Sequence, residues 1–426
     1  MKISEHHIQL AWQYRLFHYK NLRTTCNKPI EILHPGYINK DSGPDFFQAR
    51  IRIDSTLWVG NVEIHNRSSE WYEHNHHKDS SYENVILHVV LKEDRKVLHR
   101  WGEPIPCLAI VLLPKFTDKL DSWQACNNWL RCDISPDKIS AVHFHFILQR
   151  HAISRIEEKS QAMIHMLEWS LNDWQHVFYY LLARSFGFRI NSDAMEQLAR
   201  SVPLKILYKE RSSLQRLEAL YFGQSGLLPT KGDSTWEKGL IEEYKFLQNK
   251  YELKPLNRGM WKFMRTRPYN FPTLRIAQFV SLLSSSTHLL SQTVEKTKVS
   301  ELEAMYQVTP SEYWLRHFRF GKQGAVKSKK LSKNSMNSIV INTIIPFMMV
   351  YGDRLNRQEW KEKGIRWLES ITYEKNFISK TWSDRGFKLK HAMDSQALIS
   401  LHHHYCSKHR CLECDIGQIL FKNLGR

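Results

Sequence analysis

The 426-residue chain has no uninterrupted apolar run of about 18 residues, the length a helix needs to cross a bilayer. Its best apolar stretch, SIVINTIIPFMMVYG, is broken by Asn342, Thr343 and Pro346, so no membrane span is expected. The opening residues, MKISEHHIQLAWQYRLF, lack the apolar core of a secretory leader. Cysteine is scarce: seven residues, unevenly spaced, do not make a disulfide framework in a chain this long. A reducing cytoplasm is therefore the expected compartment. No internal repeat is visible, which excludes a solenoid. Acidic residues are outnumbered, 43 Asp and Glu against 61 Lys and Arg, a formal net charge of +18. That imbalance bears on partners, not fold: polyanions such as nucleic acid are attracted in a salt-dependent way. A merely basic soluble protein has the same balance.

What is present is a folding composition. Hydrophobic residues make up 42% and aromatics 12%, enough for cores in a chain long enough for two or three domains. Residues 5–19 carry Ile8, Leu10, Ala11, Tyr14, Leu16 and Phe17 at helical spacing. PIEILHPG reads as a short strand ended by Pro35-Gly36, where His34 reads as a core histidine. FFQARIRI alternates as a strand, with Phe47, Ala49, Ile51 and Ile53 on one side. A turn at Asp54-Ser55-Thr56 leads into the partner strand LWVGNVEIH. SSEWYEHNHHKD is polar and suits a short helix or ordered loop capped by Ser68 or Ser69. NVILHVVL reads as a strand buried on both faces, and CLAIVLLP as another. Beyond about residue 116 helical spacing dominates, with one long helical run over 144–188 and a basic, flexible loop at 320–335. The expected fold class is α+β. An α/β domain over 1–115, with a mixed sheet flanked by helices, precedes a mostly α-helical region over 116–426.

On LWVGNVEIH, Glu63 and His65 fall on the same face, about 7 Å apart. Asp45 opens the preceding strand after Gly43-Pro44, and the hairpin carries it toward Glu63 and His65. Two carboxylates suit a hard cation such as Mg²⁺ or Mn²⁺, and the Ile64 carbonyl offers a further oxygen. A metal so held lowers the pKa of a bound water and neutralises phosphate charge, with a nearby base orienting the water. The other possibility is a polar network on a solvated sheet face.

The order helix, strand, strand with Asp, strand with Glu-x-Lys, helix, strand resembles the core of the PD-(D/E)xK nuclease superfamily. Pro44-Asp45 stands at its first motif and Glu63-Ile64-His65 at its second, with His65 in place of Lys. The resemblance implies a restriction-endonuclease-like core with Asp45, Glu63 and His65 as catalytic residues. The departure bears on activity, because Lys is charged at neutral pH and His need not be. A second resemblance spans nearly the whole chain. HPGYINKDSGPDFFQARI, WVGNVEIHNRSSEWYEHNHHKDSSYENVILHVV, LLARSFGFRIN, MRTRPYNFPTLRIAQF and YCSKHRCLECDIG are similar to a bacterial family, domain-of-unknown-function family 2851.

His74, His76, His77 and Asp79 could hold Zn²⁺ or reach the same site from a loop, unless the segment is simply solvated. His88, inside an apolar strand, is either a core histidine or an outer partner of the Asp45–Glu63 pair. In the tail, Cys406, Cys411 and Cys414 have C-x4-C-x2-C spacing, with His402, His403 and His404 upstream and His409 between. With His402 the three thiolates would complete a structural Zn²⁺ site. Arg258, Lys262, Arg265, Arg267 and Arg275 lie among Trp261, Phe263, Tyr269 and Phe271, a mixture suited to phosphate contact and base stacking. Lys327, Lys329 and Lys330 would extend it as a mobile arm. Together these residues lead to a metal-dependent nuclease as the expected function. A nucleic-acid binder in RNA or ribosome maturation that no longer cleaves, and a protein-interaction scaffold, remain open beside it. The oligomeric state is not legible in the sequence.

Overall fold

Ile8, Leu10, Ala11 and Trp12 form the buried stripe of the first helix, α1 (Glu5–Tyr14), which stops at Arg15 in the left-handed conformation. The chain then lays down β1 (Ile30–His34), β2 (Tyr37–Ile38), β3 (Phe46–Ile53) and β4 (Thr56–Arg67). A crossover containing a single helical turn, α2 (Glu70–Glu73), and two 3₁₀ turns leads to β5 (Val85–Lys92) and β6 (Cys107–Ala109). These strands form one six-stranded sheet in the order β1-β3-β4-β5-β6, with β2 paired to β3. β1, β3 and β4 pair antiparallel, whereas β4, β5 and β6 run parallel. The computed structural model describes residues 3–424, and the chain is α+β, a mixed sheet followed by a mostly helical region.

β4 is the central strand, and its second half is closed on both faces. Val62 and Ile64 join Ile8, Trp12, Phe46, Ile51, Leu87, Val89 and Leu108 in the main core under α1. The other face meets a smaller cluster of Trp71, Tyr82, Val85, Val97 and Ile105. The expected face of β3 is corrected by one residue at its start. A bulge between Phe46 and Ala49, with Gln48 at φ +56°, puts Phe46 inside and leaves Phe47 exposed. Beyond the bulge, Ala49, Ile51 and Ile53 face the core as their alternation demands. Ser68 and Ser69 do not cap α2 through their side chains. Their hydroxyls bind Asp94, each at 3.0 Å, and Ser68 also donates to the Arg95 carbonyl.

The domain division differs from the expected 115/116. One unit comprises Met1–Ile147 together with Leu401–Arg426, the other Leu148–Ser400. The physical reason is an aromatic contact: Phe116 and Trp123, on helix α3 (Pro114–Ala125), pack edge-on against Phe421 of the terminal helix Asp415–Leu424, at 5.4 and 4.9 Å. The long helical run also divides. Leu171 and Asn172 adopt positive φ after helix Ala141–Trp169, and Asp173 caps the next helix, Trp174–Phe186, by accepting from two backbone amides.

Lys333–Arg354 is one helical span long and apolar enough to cross a membrane by length and composition, and 67% of its apolar window is buried inside the protein, as in a core helix. A π-turn at Val340–Ile344 precedes Pro346, where the ring would otherwise meet the carbonyl four residues back. The basic segment expected to be flexible begins with a hairpin, His317–Arg319 paired to Lys322–Gln323 around Gly321 at φ +72°.

Candidate active site

Asp45 is delivered by a folded loop. Gly43 takes φ +104°, and the Asn39 amide ties the loop by donating to the carbonyls of Ser42 and Pro44. The Asp45 amide then donates to Glu63 Oε2 at 3.0 Å. Asp45 Oδ2 accepts from the Ile64 amide at 3.0 Å and Oδ1 from Gln9 Nε2 at 2.7 Å. The structure thus brings Asp45 and Glu63 together at one end of the central strands. The contact it shows for Ile64 is through the amide.

Glu63 sits beside His88 in the parallel register of β4 and β5, and Glu63, His65 and His88 are all buried. His65 Nδ1 lies 2.8 Å from His88 Nε2, and His65 Nε2 lies 3.2 Å from His74 Nδ1. Glu63 Oε1 is 3.3 Å from His76 Nε2 and 3.6 Å from His65 Nε2. Tyr82 stacks on the His76 ring at 3.9 Å, and Trp71 packs against His76 and His88. A sheet face that would ordinarily be apolar here carries a carboxylate and two imidazoles, met from the crossover by two more.

Burial dominates the electrostatics. It pushes both Asp45 and Glu63 up to about 8. The Glu63 charge adds to the effect at Asp45, and Glu5 on α1 adds at both. Glu5 is itself raised by burial. His65 and His88 are pushed down to about 2 and about 3, again by burial first, so both are neutral at pH 7.

These shifts carry a stability consequence. Each carboxyl holds its proton more tightly folded than unfolded, where it ionises near pH ~4. Its stabilising contribution is full below that value and is lost as the pH rises through about 8. The neutral histidines act oppositely, their contribution being complete above about 6.5 and lost as the pH falls. Within this site, between about pH 6.5 and 8.5 only the carboxyl trend remains. Lys159, pushed down to about 7 by burial, acts the other way in that window, so the expected readout in chelator is a difference: the melting temperature of wild type should fall relative to that of Glu63→Gln. Equal slopes in thermal melts of the two proteins would contradict the assignment.

Several expected residues lie elsewhere. His77 packs on Tyr72, with ring centroids 5.1 Å apart, and it is His76 that faces Glu63. Asp79 caps a 3₁₀ turn by accepting from the Ser81 amide. His34 Nδ1 accepts from the Gly36 amide and so holds the Pro35-Gly36 turn. Glu5 and Gln9 are the site residues that sequence reasoning missed. Glu5 and Gln9 are one helical turn apart, and the only signal in the sequence was that shared position on α1.

In the tail region Trp129 meets the His402 ring edge-on at 4.7 Å. Burial raises the Cys406 thiol, and so do the neighbouring Cys414, Cys132 and Cys411 thiols. Cys411, pushed up to about 11 by burial, also feels Cys414 and Cys126. Cys132 and Cys126 are thus brought to the tail cysteines, although the sequence offered no fourth Cys nearby.

Two of the basic residues are not free for phosphate. Arg275 is buried, donates to Gln278, Asn270 and Ser335, and lies 4.2 Å over the Phe188 ring. Lys329 is fully buried, its ammonium 3.3 Å from the Phe318 ring centroid. The stacking platform is also partly occupied. Trp261 is buried and donates to the Ser225 carbonyl, while Phe263 and Phe271 hold Arg319. Arg258, Lys262, Arg265, Arg267, Lys327 and Lys330 are exposed.

A family model described as a protein of unknown function (DUF2851) matches residues 5–377. No curated protein and no solved structure matches the chain.

Proposed function

The chain belongs to the DUF2851 family, and we propose that its sheet domain is a metal-dependent phosphodiesterase, a nuclease acting on DNA or RNA. The observation that carries this reading is the joining of Asp45 and Glu63 through the Asp45 amide at 3.0 Å, with imidazoles on the far side of Glu63. Two buried carboxyls side by side, with Glu5 adding negative charge at both, suit Mg²⁺ or Mn²⁺, which would supply charge neutralisation and an activated water. Asp45 and Glu63 would hold the ion. Gln9 and the Ile64 amide fix the Asp45 carboxylate, so its oxygens are aimed before any ligand arrives. His65 cannot act as the cation that a Lys would be, because burial keeps it neutral. As a neutral imidazole it can orient a water by hydrogen bonding, but it is too weak a base to take the water's proton. The exposed cations from Arg258 to Arg267, with Lys327 and Lys330, would hold the polyanion by salt-sensitive contacts. A cytoplasmic location suits this reading.

The test is cleavage of single- and double-stranded DNA and RNA by the folded chain, with Mg²⁺ or Mn²⁺ and with chelator. Metal-dependent cleavage of any of the four supports the reading, and no cleavage of any of them sinks it. The neutrality of His65 favours a second reading, a binder that does not cleave, whose affinity would be untouched by chelator.

For the tail we propose a structural Zn²⁺ held by Cys406, Cys411 and Cys414 with His402, the donor set that their spacing offers. Elemental analysis should find zinc in the wild-type protein and about one equivalent less in Cys411→Ser. Equal zinc in both would rule this out.

A further inference from the structure

We propose that His65, His74 and His76, with Oε1 of Glu63, form a binding site for a borderline divalent transition metal of the zinc class, separate from the hard-cation position beside Asp45. The three imidazoles each offer a ligand atom within 4.8 Å of the others. Three edges of the four-donor set are 3.2 Å (His65 Nε2 to His74 Nδ1), 3.3 Å (His76 Nε2 to Glu63 Oε1) and 3.6 Å (His65 Nε2 to Glu63 Oε1). Donors on a tetrahedral zinc, at about 2.0–2.1 Å from the ion, lie about 3.3 Å apart.

The surroundings fit as well. A ligating histidine needs its second nitrogen held by an outer partner, and His65 Nδ1 has His88 Nε2 at 2.8 Å. Trp71 and Tyr82 wall the His76 ring and limit water on that side. Imidazole nitrogens select zinc, cobalt, nickel or copper over magnesium, which prefers oxygen. Glu63 is then shared, Oε2 facing the Asp45 amide and Oε1 facing the imidazoles. Only that sharing rests on the phosphodiesterase reading, since the imidazole site needs no reaction.

The chelator-treated full chain would be titrated with Zn²⁺ by calorimetry and with Co²⁺ by visible absorption, without nucleic acid. In Cys411→Ser, which lacks the tail site, one equivalent should bind and persist in excess Mg²⁺. His74→Ala, at an exposed position, and His76→Ala should each weaken binding by at least ~10–100-fold, with folding checked by circular dichroism. His77→Ala should bind as wild type does. Unchanged affinity in folded His74→Ala, or no saturable binding by folded Cys411→Ser, would overturn the proposal. Zinc binding without cleavage of any nucleic acid would keep this site and remove the nuclease. Magnesium-dependent cleavage without zinc binding would do the reverse.

Discussion

Glu63→Gln is expected to lower metal-dependent cleavage at least ~100-fold while the protein stays folded, since even an outer partner of a metal ligand is worth ~10–100-fold. The amide keeps the shape of the side chain, and its oxygen can still accept from the Asp45 amide that now meets Oε2. What it loses is the charge. Asp45 would then face one carboxylate fewer, so the repulsion that helps hold its pKa near 8 disappears with the cation site. Alanine is the poorer substitution, because it leaves a cavity and strips the Asp45 amide of its acceptor. Cleavage by folded Glu63→Gln at the wild-type rate would remove Glu63 from the chemistry.

The second large effect separates stability from binding among the arginines. Arg275→Met is expected to cost ~2–4 kcal/mol, because it strands the oxygens of Gln278, Asn270 and Ser335 that its guanidinium now serves. In a domain of this size that is a fall on the order of 10 °C in melting temperature. Arg267 is exposed, and Arg267→Met should leave the melting temperature nearly unchanged. It should instead reduce the slope of log affinity against log salt for nucleic acid by about one. A melting temperature that falls with Arg267→Met and not with Arg275→Met would invert the assignment. A salt slope unchanged in Arg267→Met would take that residue out of the interface.

The same two arginines mark the limit of what the sequence discloses. Both stand in one basic, aromatic stretch, and nothing local says that helix Pro272–Ser285 is buried almost all round while the residues just before it are solvated. The sheet was more legible. Period-2 alternation placed Glu63 and His65 on one face, and the tight hairpin brought Asp45 to Glu63, because strand geometry is local. The bulge at Gln48 was invisible, since one residue in the left-handed region leaves no mark on composition. The choice of His76 over His77 depends on the turn of a short 3₁₀ segment, and Glu5 and Gln9 depend on how a helix docks on a sheet. Cys132 reached the tail cysteines through tertiary packing across most of the chain's length.

The unit that holds the sheet is discontinuous: residues 148–400 stand between its two pieces. During synthesis at ~5–20 residues per second, its last helix leaves the ribosome roughly tens of seconds after α3. Until then Phe116 and Trp123 lack the Phe421 ring that covers them in the finished protein. The nascent chain therefore carries an uncovered aromatic face while the helical unit is being made, an interval in which chaperones have a surface to hold.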